Sequence, residues 1–329
     1  MLDILPRVKL ANLPTPLQEM KNLAYSLDMK SLWIKRDDLT GISFGGNKTR
    51  KLEYVIGDAL QQETDTLVTV GAVQSNHCRQ TAAAAAQNGL RCILLLAGAE
   101  PEEYTGNVLL DKLFGAEIQF FPDDDFDQVS ERMDSIIETL RDLGLKPYGI
   151  PAGAFMPVGC IAYVQAMLEL REQCDEIGIE PKKILHPVGT GGTLAGMIIG
   201  AKLAEFDADV IGISVLRDAK TAKEKVGEMI DRMFDAYPAL IDKFEPDIKV
   251  DDRFTGKGYG EMEDSVRSAI QMFAKSQGII LDPVYTAKAG VALLRMAMGG
   301  EIGSDAPTIF WHTGGSPAIF KYGSQLLGS

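Results

Sequence analysis

The segment SFGGNKTRKLE, residues 43–53, places one lysine, Lys48, directly after two glycines and an asparagine. A lysine forms a Schiff base with a carbonyl compound when it loses enough water to spend time as a neutral amine. The glycines give the backbone unusual freedom, and a helix-forming run follows, so we expect Lys48 at the tip of a loop. A solvated turn is the alternative, and Lys35 and Lys51 are nearby competitors without this glycine approach.

A glycine-rich turn follows the predicted strand KILHPV and leads directly into a predicted helix. Such a turn lets backbone N–H groups converge, and the helix N-terminus adds partial positive charge, so the pattern favours an anion such as phosphate. A dinucleotide site is the rival interpretation, but Leu194 stands where that motif requires its third glycine. A purely structural turn stays open as an alternative. The turn consists of Gly189, Thr190, Gly191, Gly192 and Thr193.

The segment GAVQSNHCRQTAAAAA predicts a second anion site. Ser75 or Asn76 would cap the alanine-rich helix, and the N–H groups of residues 76–78 would then face outward from the end of the strand TLVTVG. This geometry suits a carboxylate, and an ordinary N-cap with a packed alanine face is the alternative. His77 and Cys78 do not predict a catalytic dyad, because adjacent residues on a helix point in different directions.

These three features together indicate one cofactor. A phosphate site, a carboxylate-sized helix end and a glycine-flanked lysine are the parts that hold pyridoxal 5'-phosphate as a Schiff base and receive an amino acid. We therefore predict that Lys48 carries this cofactor and that the substrate is a small amino acid.

Apolar, β-rich segments alternate with helical patterns along most of the chain. This alternation predicts an α/β fold of largely parallel sheets, with helices on both faces and ligands at the carboxyl ends of the strands. The acidic run DDDFD at residues 123–127 is interpreted as the solvated start of a helix. The predicted strands are TLVTVG, RCILLLAG, PYGIP, KILHPVG, DVIGISV, GIILDP and PTIFWHTGG.

Composition excludes several other classes of function. The net charge of −13 argues against a nucleic-acid partner, which needs basic patches for phosphate neutralisation. Charges and prolines interrupt the N-terminal segment MLDILPRVKLANLPTPL, and nothing resembles a membrane span, so we expect a cytoplasmic protein without a membrane partner. The cysteines lack metal-like spacing and the chain has only three histidines, so no metal site is predicted. The cysteines are Cys78, Cys92, Cys160 and Cys174.

Six ordered motifs resemble one known family. The chain is similar to the D-cysteine desulfhydrase and 1-aminocyclopropane-1-carboxylate (ACC) deaminase family from about Pro14 to Tyr322. The resemblance implies a fold type II, tryptophan synthase β-like enzyme with two open twisted parallel sheets. It also implies a smaller domain of residues 50–160, a larger cofactor-binding domain of residues 1–49 and 161–329, and a homodimer. The motifs are KRDDLTGISFGGNKTRKLEY, AVQSNHCRQTAA, GTGGTLAG, GYGEM, LDPVYTAKAG and HTGGSPAIF.

The resemblance also implies roles for the residues around the reacting centre. Lys48 would hold the cofactor and then act as the base at the substrate Cα, with Asn47 positioning it. Asn76 would donate a hydrogen bond to the phenolic oxygen of the cofactor. Ser75 and the backbone N–H groups of Asn76 and His77 would bind the substrate carboxylate.

The remaining implied roles concern the phosphate and the substrate pocket. The turn from Gly189 to Thr193 would hold the phosphate. Tyr259 of KGYGEM and Tyr285 of DPVYT would line the pocket and take part in catalysis by orienting the leaving group. Without the resemblance, both tyrosines would be interpreted as half-buried packing residues.

Thr286 is the position that bears on the reaction. In ACC deaminases the tyrosine of this motif is followed by a glutamate, an arrangement that keeps the pyridine nitrogen of the cofactor protonated. A neutral hydroxyl makes the cofactor a weaker electron sink, which suffices to eliminate a good leaving group from the substrate. Thr286 therefore favours a carbon–sulfur lyase such as D-cysteine desulfhydrase over ACC deaminase, and a helix N-cap is its alternative role.

Two other functions stay open. An L-cysteate sulfo-lyase would share these motifs, and its charged sulfonate leaving group would need a cation, for which Lys257 is the candidate. A solvated loop lysine is the alternative interpretation of Lys257. The alternative from another functional class is a non-catalytic protein that binds the cofactor or an amino acid. The intact Lys48 counts against this alternative.

Overall fold

The computed structural model describes residues 5–239, 241–258, 260–303 and 306–327. The strands are β1 (Leu17–Glu19), β2 (Leu32–Arg36), β3 (Thr66–Ala72), β4 (Arg91–Ala97), β5 (Glu117–Phe121), β6 (Pro147–Ile150), β7 (Lys183–Val188), β8 (Asp209–Ser214), β9 (Lys249–Asp251) and β10 (Thr308–His312). The helices are α1 (Lys21–Ser26), α2 (Asn47–Gln61), α3 (Asn76–Gln87), α4 (Gly106–Leu113), α5 (Phe126–Asp142), α6 (Pro157–Ile177), α7 (Gly192–Leu203), α8 (Ala219–Ala236), α9 (Asp264–Gln277), α10 (Thr286–Met298) and α11 (Gly323–Leu327).

The strands form two sheets. One has six strands in the order β1-β2-β10-β7-β8-β9, and the other has four strands in the order β5-β4-β3-β6. All neighbouring strands in these sheets are parallel except β1, which runs antiparallel to β2. The prediction of an α/β fold with largely parallel sheets is confirmed. The carboxyl ends of parallel strands share one edge, so each sheet presents one edge on which a site can be built.

One predicted strand is wrong. The segment GIILDP pairs with no strand in the part of the chain that the structure describes, and it follows α9 as an extended connection to α10. Its side chains do alternate, because Ile279 and Leu281 are buried while Ile280 is 41% exposed. The buried pair packs against the helices that flank it and not within a sheet. The alternation therefore reports burial of one side, which a strand and an extended connection share.

The acidic run at residues 123–127 does begin a helix. Asp125 caps α5, and its carboxylate accepts a hydrogen bond from the backbone N–H of Gln128 at 2.9 Å. The Gln128 side chain accepts one in return from the backbone N–H of Asp125 at 2.8 Å. This reciprocal capping explains why the helix starts there.

Apolar side chains fill both faces of each sheet. Neighbouring residues Ile184 and Leu185 on β7 belong to different core clusters, as do Leu67 and Val68 on β3. Successive side chains of a strand point to opposite faces, so burial on both faces produces the continuous apolar runs seen in the sequence. The four-stranded sheet lies within residues 66–150. The predicted domain boundaries at residues 50 and 160 stay a prediction.

A buried cluster of charged groups ties α2 to the six-stranded sheet and to α6. The Arg50 guanidinium donates hydrogen bonds to Asp37 at 2.9 Å and to Glu169 at 2.8 Å. Lys35 also donates to Glu169, at 2.5 Å, and the Trp311 indole donates to Asp37 at 2.8 Å. Burial acts to raise the pKa of Asp37, but the charge and hydrogen bonds of Arg50 outweigh it, so this pKa lies below its usual value. Asp37 is therefore ionised at neutral pH.

The described residues also bear on membrane and metal functions. Across the described ranges, no helix is long and apolar enough to cross a membrane. Within the same residues, no group of three or more His, Cys, Asp or Glu side chains could hold a metal ion.

Replacing Arg50 by Met should destabilise the fold by about 3–5 kcal/mol, because it leaves the Asp37 carboxylate buried without its main cationic partner. The free energy of unfolding from a urea titration measures this loss. Arg141→Met is the control, since Arg141 and Glu138 form an exposed pair on α5, and we expect it to leave the stability almost unchanged. An Arg50→Met protein as stable as the unmodified chain would contradict this account of the cluster.

Candidate active site

A cavity of about 390 Å³ opens where the two sheets present the carboxyl ends of their strands. Its wall includes the end of β3 at residues 70–72, the end of β7 at residues 186–188, and the residues that follow β8 and β10, Val215 and Thr313. This is the location that parallel sheets predict for a ligand.

Lys48 lines this cavity, but it does not lie at the tip of a loop. Helix α2 begins at Asn47, so Lys48 stands in the first turn of the helix. The glycines precede it with positive φ angles of 66° at Gly45 and 128° at Gly46. A Cβ atom on Gly45 would lie only 2.1 Å from the carbonyl oxygen of Asp38. The glycines are needed for a close chain crossing that delivers the helix start to the cavity.

The surroundings of the Lys48 amine favour its neutral, nucleophilic form. Burial of the ammonium and the positive charge of Lys51 lower the pKa of Lys48 to about 7. The N-terminus of α2 also carries partial positive charge, which disfavours a second cation there. The Lys48 Nζ donates a hydrogen bond to the Asn47 side-chain oxygen at 3.0 Å. A large fraction of this amine is neutral at neutral pH, which is the form that attacks a carbonyl carbon.

Asn47 connects Lys48 to the glycine-rich turn. Its side-chain oxygen accepts from Lys48, and its side-chain nitrogen donates to the hydroxyl of Thr193 at 3.2 Å. Gly191 precedes α7 with a φ of 96°, and α7 begins at Gly192. Four residues of the predicted turn line the cavity, and the buried Gly192 does not. A Cβ atom added to Gly192 would lie 2.6 Å from the Cys160 sulfur. Gly192 therefore serves close packing.

Lys51 lies on the same side of α2 as Lys48 and adds positive charge next to the turn. Its Nζ donates to the carbonyl oxygen of Gly153 at 3.1 Å, and it would lie 3.1 Å from a Cβ atom on Gly192. Burial lowers the pKa of Lys51. An anion held by the turn would favour the charged form of Lys51, so the lysine that sequence reasoning treated as a competitor suits the phosphate end of the site.

The residues of the predicted carboxylate site lie in the cavity wall at the start of α3. Ser75 is the N-cap of α3, and Ser75, Asn76 and His77 all line the cavity. The Ser75 hydroxyl accepts from the backbone N–H of Cys78 at 3.2 Å, so the expectation that this N–H faces outward is wrong. The first backbone N–H groups of a helix have no intrahelical partner. Since Ser75 caps that of Cys78, those of Asn76 and His77 remain for a ligand.

Neither His77 nor Cys78 has the properties of a catalytic dyad. The His77 ring shares a hydrogen bond with the Thr69 hydroxyl at 2.8 Å, and burial lowers its pKa well below the usual value. Burial raises the pKa of the Cys78 thiol well above its usual value, which keeps it protonated. His77 therefore contributes to the cavity wall, whereas Cys78 packs in the core.

Thr286 is placed differently from its predicted role. It is fully buried, is not among the residues of the cavity wall, and donates its hydroxyl to the Asp282 carboxylate at 2.7 Å. Helix α10 begins at Thr286 itself, so Thr286 is not the N-cap of this helix, and its predicted contact with the cofactor stays a prediction. Asp282 takes that part, accepting backbone N–H groups from Val284 and Tyr285 at 3.0 Å and from Thr286 at 2.7 Å. A carboxylate accepts several such bonds at once, which explains why it can stand in for the N-cap.

Of the two predicted tyrosines, Tyr285 lies within the described residues. Tyr285 lines the cavity, and its ring lies 3.1 Å from where a Cβ atom of Gly189 would be. The glycine therefore leaves room for the phenol. Tyr259 lies outside the described residues, so its predicted place in the pocket stays a prediction.

Besides Asp127 of α5, three polar wall residues at strand ends were missed by sequence reasoning. His186 is buried with neither ring nitrogen bonded within the described chain, and burial lowers its pKa to about 3. Arg217 donates to the carbonyl oxygen of Gly189 at 3.1 Å, and Thr313 follows β10. Each lies at or just beyond the carboxyl end of a predicted strand, so reading the polar residues at strand ends could have found them.

The site fits pyridoxal 5'-phosphate on its own geometry. The turn at the start of α7 presents backbone N–H groups next to Lys51, which suits the phosphate. Lys48 offers an amine with a pKa of about 7 to the aldehyde carbon. The uncompensated His186 ring nitrogens show that the wall has polar groups for a ligand to satisfy.

Comparison with known proteins agrees with this fit. The family model of pyridoxal-phosphate dependent enzymes matches residues 8–314. A putative ACC deaminase of Pyrococcus abyssi is 37% identical over 99% of this chain and 97% of its own length. A D-cysteine desulfhydrase of Salmonella paratyphi B is 37% identical over 96% of each chain. The crystal structure of an ACC deaminase homologue superposes with a TM-score of 0.91 at 38% identity, over 99% of this chain and 97% of the other.

The chain belongs to the pyridoxal-phosphate dependent enzyme family. It has the fold of the type II enzymes of that family, and pyridoxal 5'-phosphate is its cofactor. It is a lyase of the ACC deaminase and D-cysteine desulfhydrase type.

The low pKa of Lys48 can be tested on cofactor-free protein. The rate of covalent loading with pyridoxal phosphate should rise with pH around a midpoint of about 7, because the neutral amine is the reactive form. Lys51→Met removes a charge that lowers this pKa, so the midpoint should move to higher pH. Visible absorbance after mixing measures the rate at each pH.

Lys51→Arg is the matched control, since it keeps the charge and should keep the midpoint lower than Lys51→Met does. Borohydride reduction followed by peptide mapping should place the label on Lys48 in every variant. A label on Lys51, or a Lys51→Met midpoint equal to that of the unmodified protein, would contradict the assignment.

Proposed function

We propose that the chain is a carbon–sulfur lyase that eliminates sulfide from D-cysteine to give pyruvate and ammonia. The observation that carries the proposal is the chemical character of the cavity wall. Among the described wall residues, the one carboxylate belongs to Asp127, near the start of α5. The wall residue that follows β10 is the neutral Thr313. The two kinds of curated relative are equally similar to the chain, so the proposal rests on this wall.

The carboxylate of Asp282 lies near the cavity, but its hydrogen bonds engage it elsewhere. Its oxygens accept hydrogen bonds from three backbone N–H groups and from the Thr286 hydroxyl. A carboxylate bonded in this way stabilises the turn before α10 and has few lone pairs left for a ligand. A hydroxyl such as that of Thr313 does not keep a pyridine nitrogen protonated as a carboxylate does. The weaker electron sink favours substrates with a good β-leaving group over ring opening.

The cofactor, when bound, accepts the electron pair released as the bond to the Cα hydrogen breaks. The Lys48 amine, with a pKa of about 7, is suited to take that proton and to return it. Asn47 holds the amine through its side-chain oxygen and so limits the positions that Lys48 can reach.

The substrate carboxylate is assigned to the start of α3. Ser75, Asn76 and His77 line the cavity at a helix N-terminus, where partial positive charge favours an anion. We propose that the Ser75 hydroxyl and the backbone N–H groups of Asn76 and His77 bind this carboxylate. Tyr285 lies in the cavity wall next to Gly189, and we propose that it packs against the ligand. The catalytic roles of Tyr285 and Tyr259, the homodimer and the cytoplasmic location stay predictions.

Sulfite elimination from L-cysteate is the second candidate, and Arg217 favours it. Arg217 puts a guanidinium in the cavity wall, where it could bind a sulfonate in place of the Gly189 carbonyl. The predicted cation, Lys257, is exposed and is not among the wall residues. Its backbone N–H donates to the Glu263 carboxylate. Lys257 is therefore replaced by Arg217 in this candidate mechanism.

Steady-state assays with D-cysteine, L-cysteine, L-cysteate and ACC test the proposal. We expect pyruvate and sulfide from D-cysteine, and essentially no 2-oxobutyrate from ACC, because the described wall has the neutral Thr313, and no carboxylate, directly after β10. Lys48→Ala is the control for reaction that does not depend on the enzyme. Efficient turnover of ACC would overturn the proposal, and sulfite release as the main activity would move it to the second candidate.

Ser75→Ala tests the carboxylate site. We expect a loss of about 1–3 kcal/mol of transition-state binding for an amino-acid substrate, measured as kcat/KM, with little loss of cofactor. Ser26→Ala is the control, since Ser26 does not line the cavity and its hydroxyl donates to the Leu23 carbonyl oxygen. An unchanged kcat/KM in Ser75→Ala would remove Ser75 from the substrate site.

A further inference from the structure

A chain of buried amide groups leads from helix α4 to the cavity wall. The side-chain nitrogen of Asn107 donates to the side-chain oxygen of Asn76 at 2.8 Å and to the carbonyl oxygen of Gln74 at 2.8 Å. The side-chain oxygen of Asn107 accepts from the Arg79 guanidinium at 3.2 Å. Asn107 and Arg79 are fully buried, and neither lines the cavity.

The chemistry of the partners decides which way each amide faces. A guanidinium has donors and no acceptor, so the Asn107 oxygen must face Arg79. A backbone carbonyl has acceptors and no donor, so the Asn107 nitrogen must face Gln74. These two requirements agree, and they turn the remaining N–H of Asn107 toward Asn76. Asn76 must therefore present its oxygen to Asn107, which leaves its own NH₂ group for the other side.

The same bonds also fix the backbone around Asn76. The backbone N–H of Asn107 donates to the Gln74 side-chain oxygen at 2.9 Å, so Gln74 is held at two points just before the helix start. Gly315 lacks a side chain where a Cβ atom would lie 2.7 Å from the Asn76 side-chain nitrogen. Arg79 also donates to the carbonyl oxygen of Gly45 at 2.8 Å, in the approach to Lys48. One arginine thus contacts both sides of the site.

We propose that Asn107, oriented by Arg79, is a positioning residue that directs the side-chain N–H of Asn76 toward the phenolic oxygen of the cofactor. The proposal rests on the family's cofactor and on the predicted contact of Asn76 with it. It does not depend on which amino acid is the substrate. A donor at the phenolic oxygen stabilises negative charge there and weakens the hold of that oxygen on a nearby proton. Asn107 would therefore affect the cofactor without touching it.

Asn107→Asp is the sharpest test because it keeps the shape of the side chain and removes its donor. The new carboxylate still accepts from Arg79, but it can only accept from Asn76, which must then turn its oxygen to the cavity. We expect the dissociation constant of pyridoxal phosphate to rise about tenfold, the scale of one lost hydrogen bond. Titration of cofactor-free protein, followed by visible absorbance, measures it.

A double-mutant cycle with Asn76→Ala separates positioning from a general effect on structure. If Asn107 acts through Asn76, then Asn107→Asp should change the dissociation constant less than twofold in the Asn76→Ala background. Asn22→Asp is the matched control, since Asn22 is exposed and donates to the Ser276 carbonyl oxygen. It should leave cofactor binding unchanged. An equal loss in both backgrounds, or no loss in the unmodified background, would overturn the proposal.

The visible spectrum of the loaded enzyme gives a second readout. Loss of the donor should move the pH midpoint of the cofactor band upward in Asn107→Asp, and Asn76→Ala should move it in the same direction. If Asn107→Asp does not fold, as judged by its thermal unfolding, Asn107→Ala replaces it in the cycle and introduces no charge. A pH midpoint that moves in Asn76→Ala but stays fixed in a folded Asn107 variant would also overturn the proposal.

Discussion

The position of Lys48 depends on the buried ion cluster around Arg50, two residues further along the same helix. Residues two apart in a helix point to nearly opposite sides, whereas residues three apart share a side. Arg50 therefore faces Asp37 and Glu169 while Lys48 and Lys51 face the cavity. The charges of the cluster are compensated only in this geometry, so the cluster fixes the rotation of α2 about its axis.

Basic side chains gather at the cavity of an acidic protein. The chain has a net charge of −13, yet Lys48, Lys51 and Arg217 all lie at or beside the cavity, together with the starts of α2, α3 and α7. Such an arrangement lowers the pKa of a lysine and attracts anions at the same time. A bound phosphate and the proposed substrate carboxylate would complement the positive charge that lowers the pKa of Lys48.

The fold and much of the site could be predicted from the sequence because they depend on local patterns. Strands buried on both faces produce apolar runs, and close backbone crossings require glycine, as at Gly45. The errors arose where tertiary contacts decide. Whether GIILDP pairs with a strand depends on its neighbours, and Thr286 faces Asp282 because of how the turn before α10 folds. His186 has no motif, since its importance comes from the cavity beside β7.

In the proposed site, charged and neutral groups divide along the cofactor. We propose that Lys51 and the helix starts hold the phosphate and the substrate carboxylate at the two ends. The groups proposed or placed to meet the ring are neutral: the amide of Asn76, the hydroxyl of Thr313 and the imidazole of His186, whose low pKa keeps it uncharged. Strong binding of the ends then need not make the ring a strong electron sink. This separation is the physical reason why an enzyme with a firmly held cofactor would still depend on a good leaving group in its substrate.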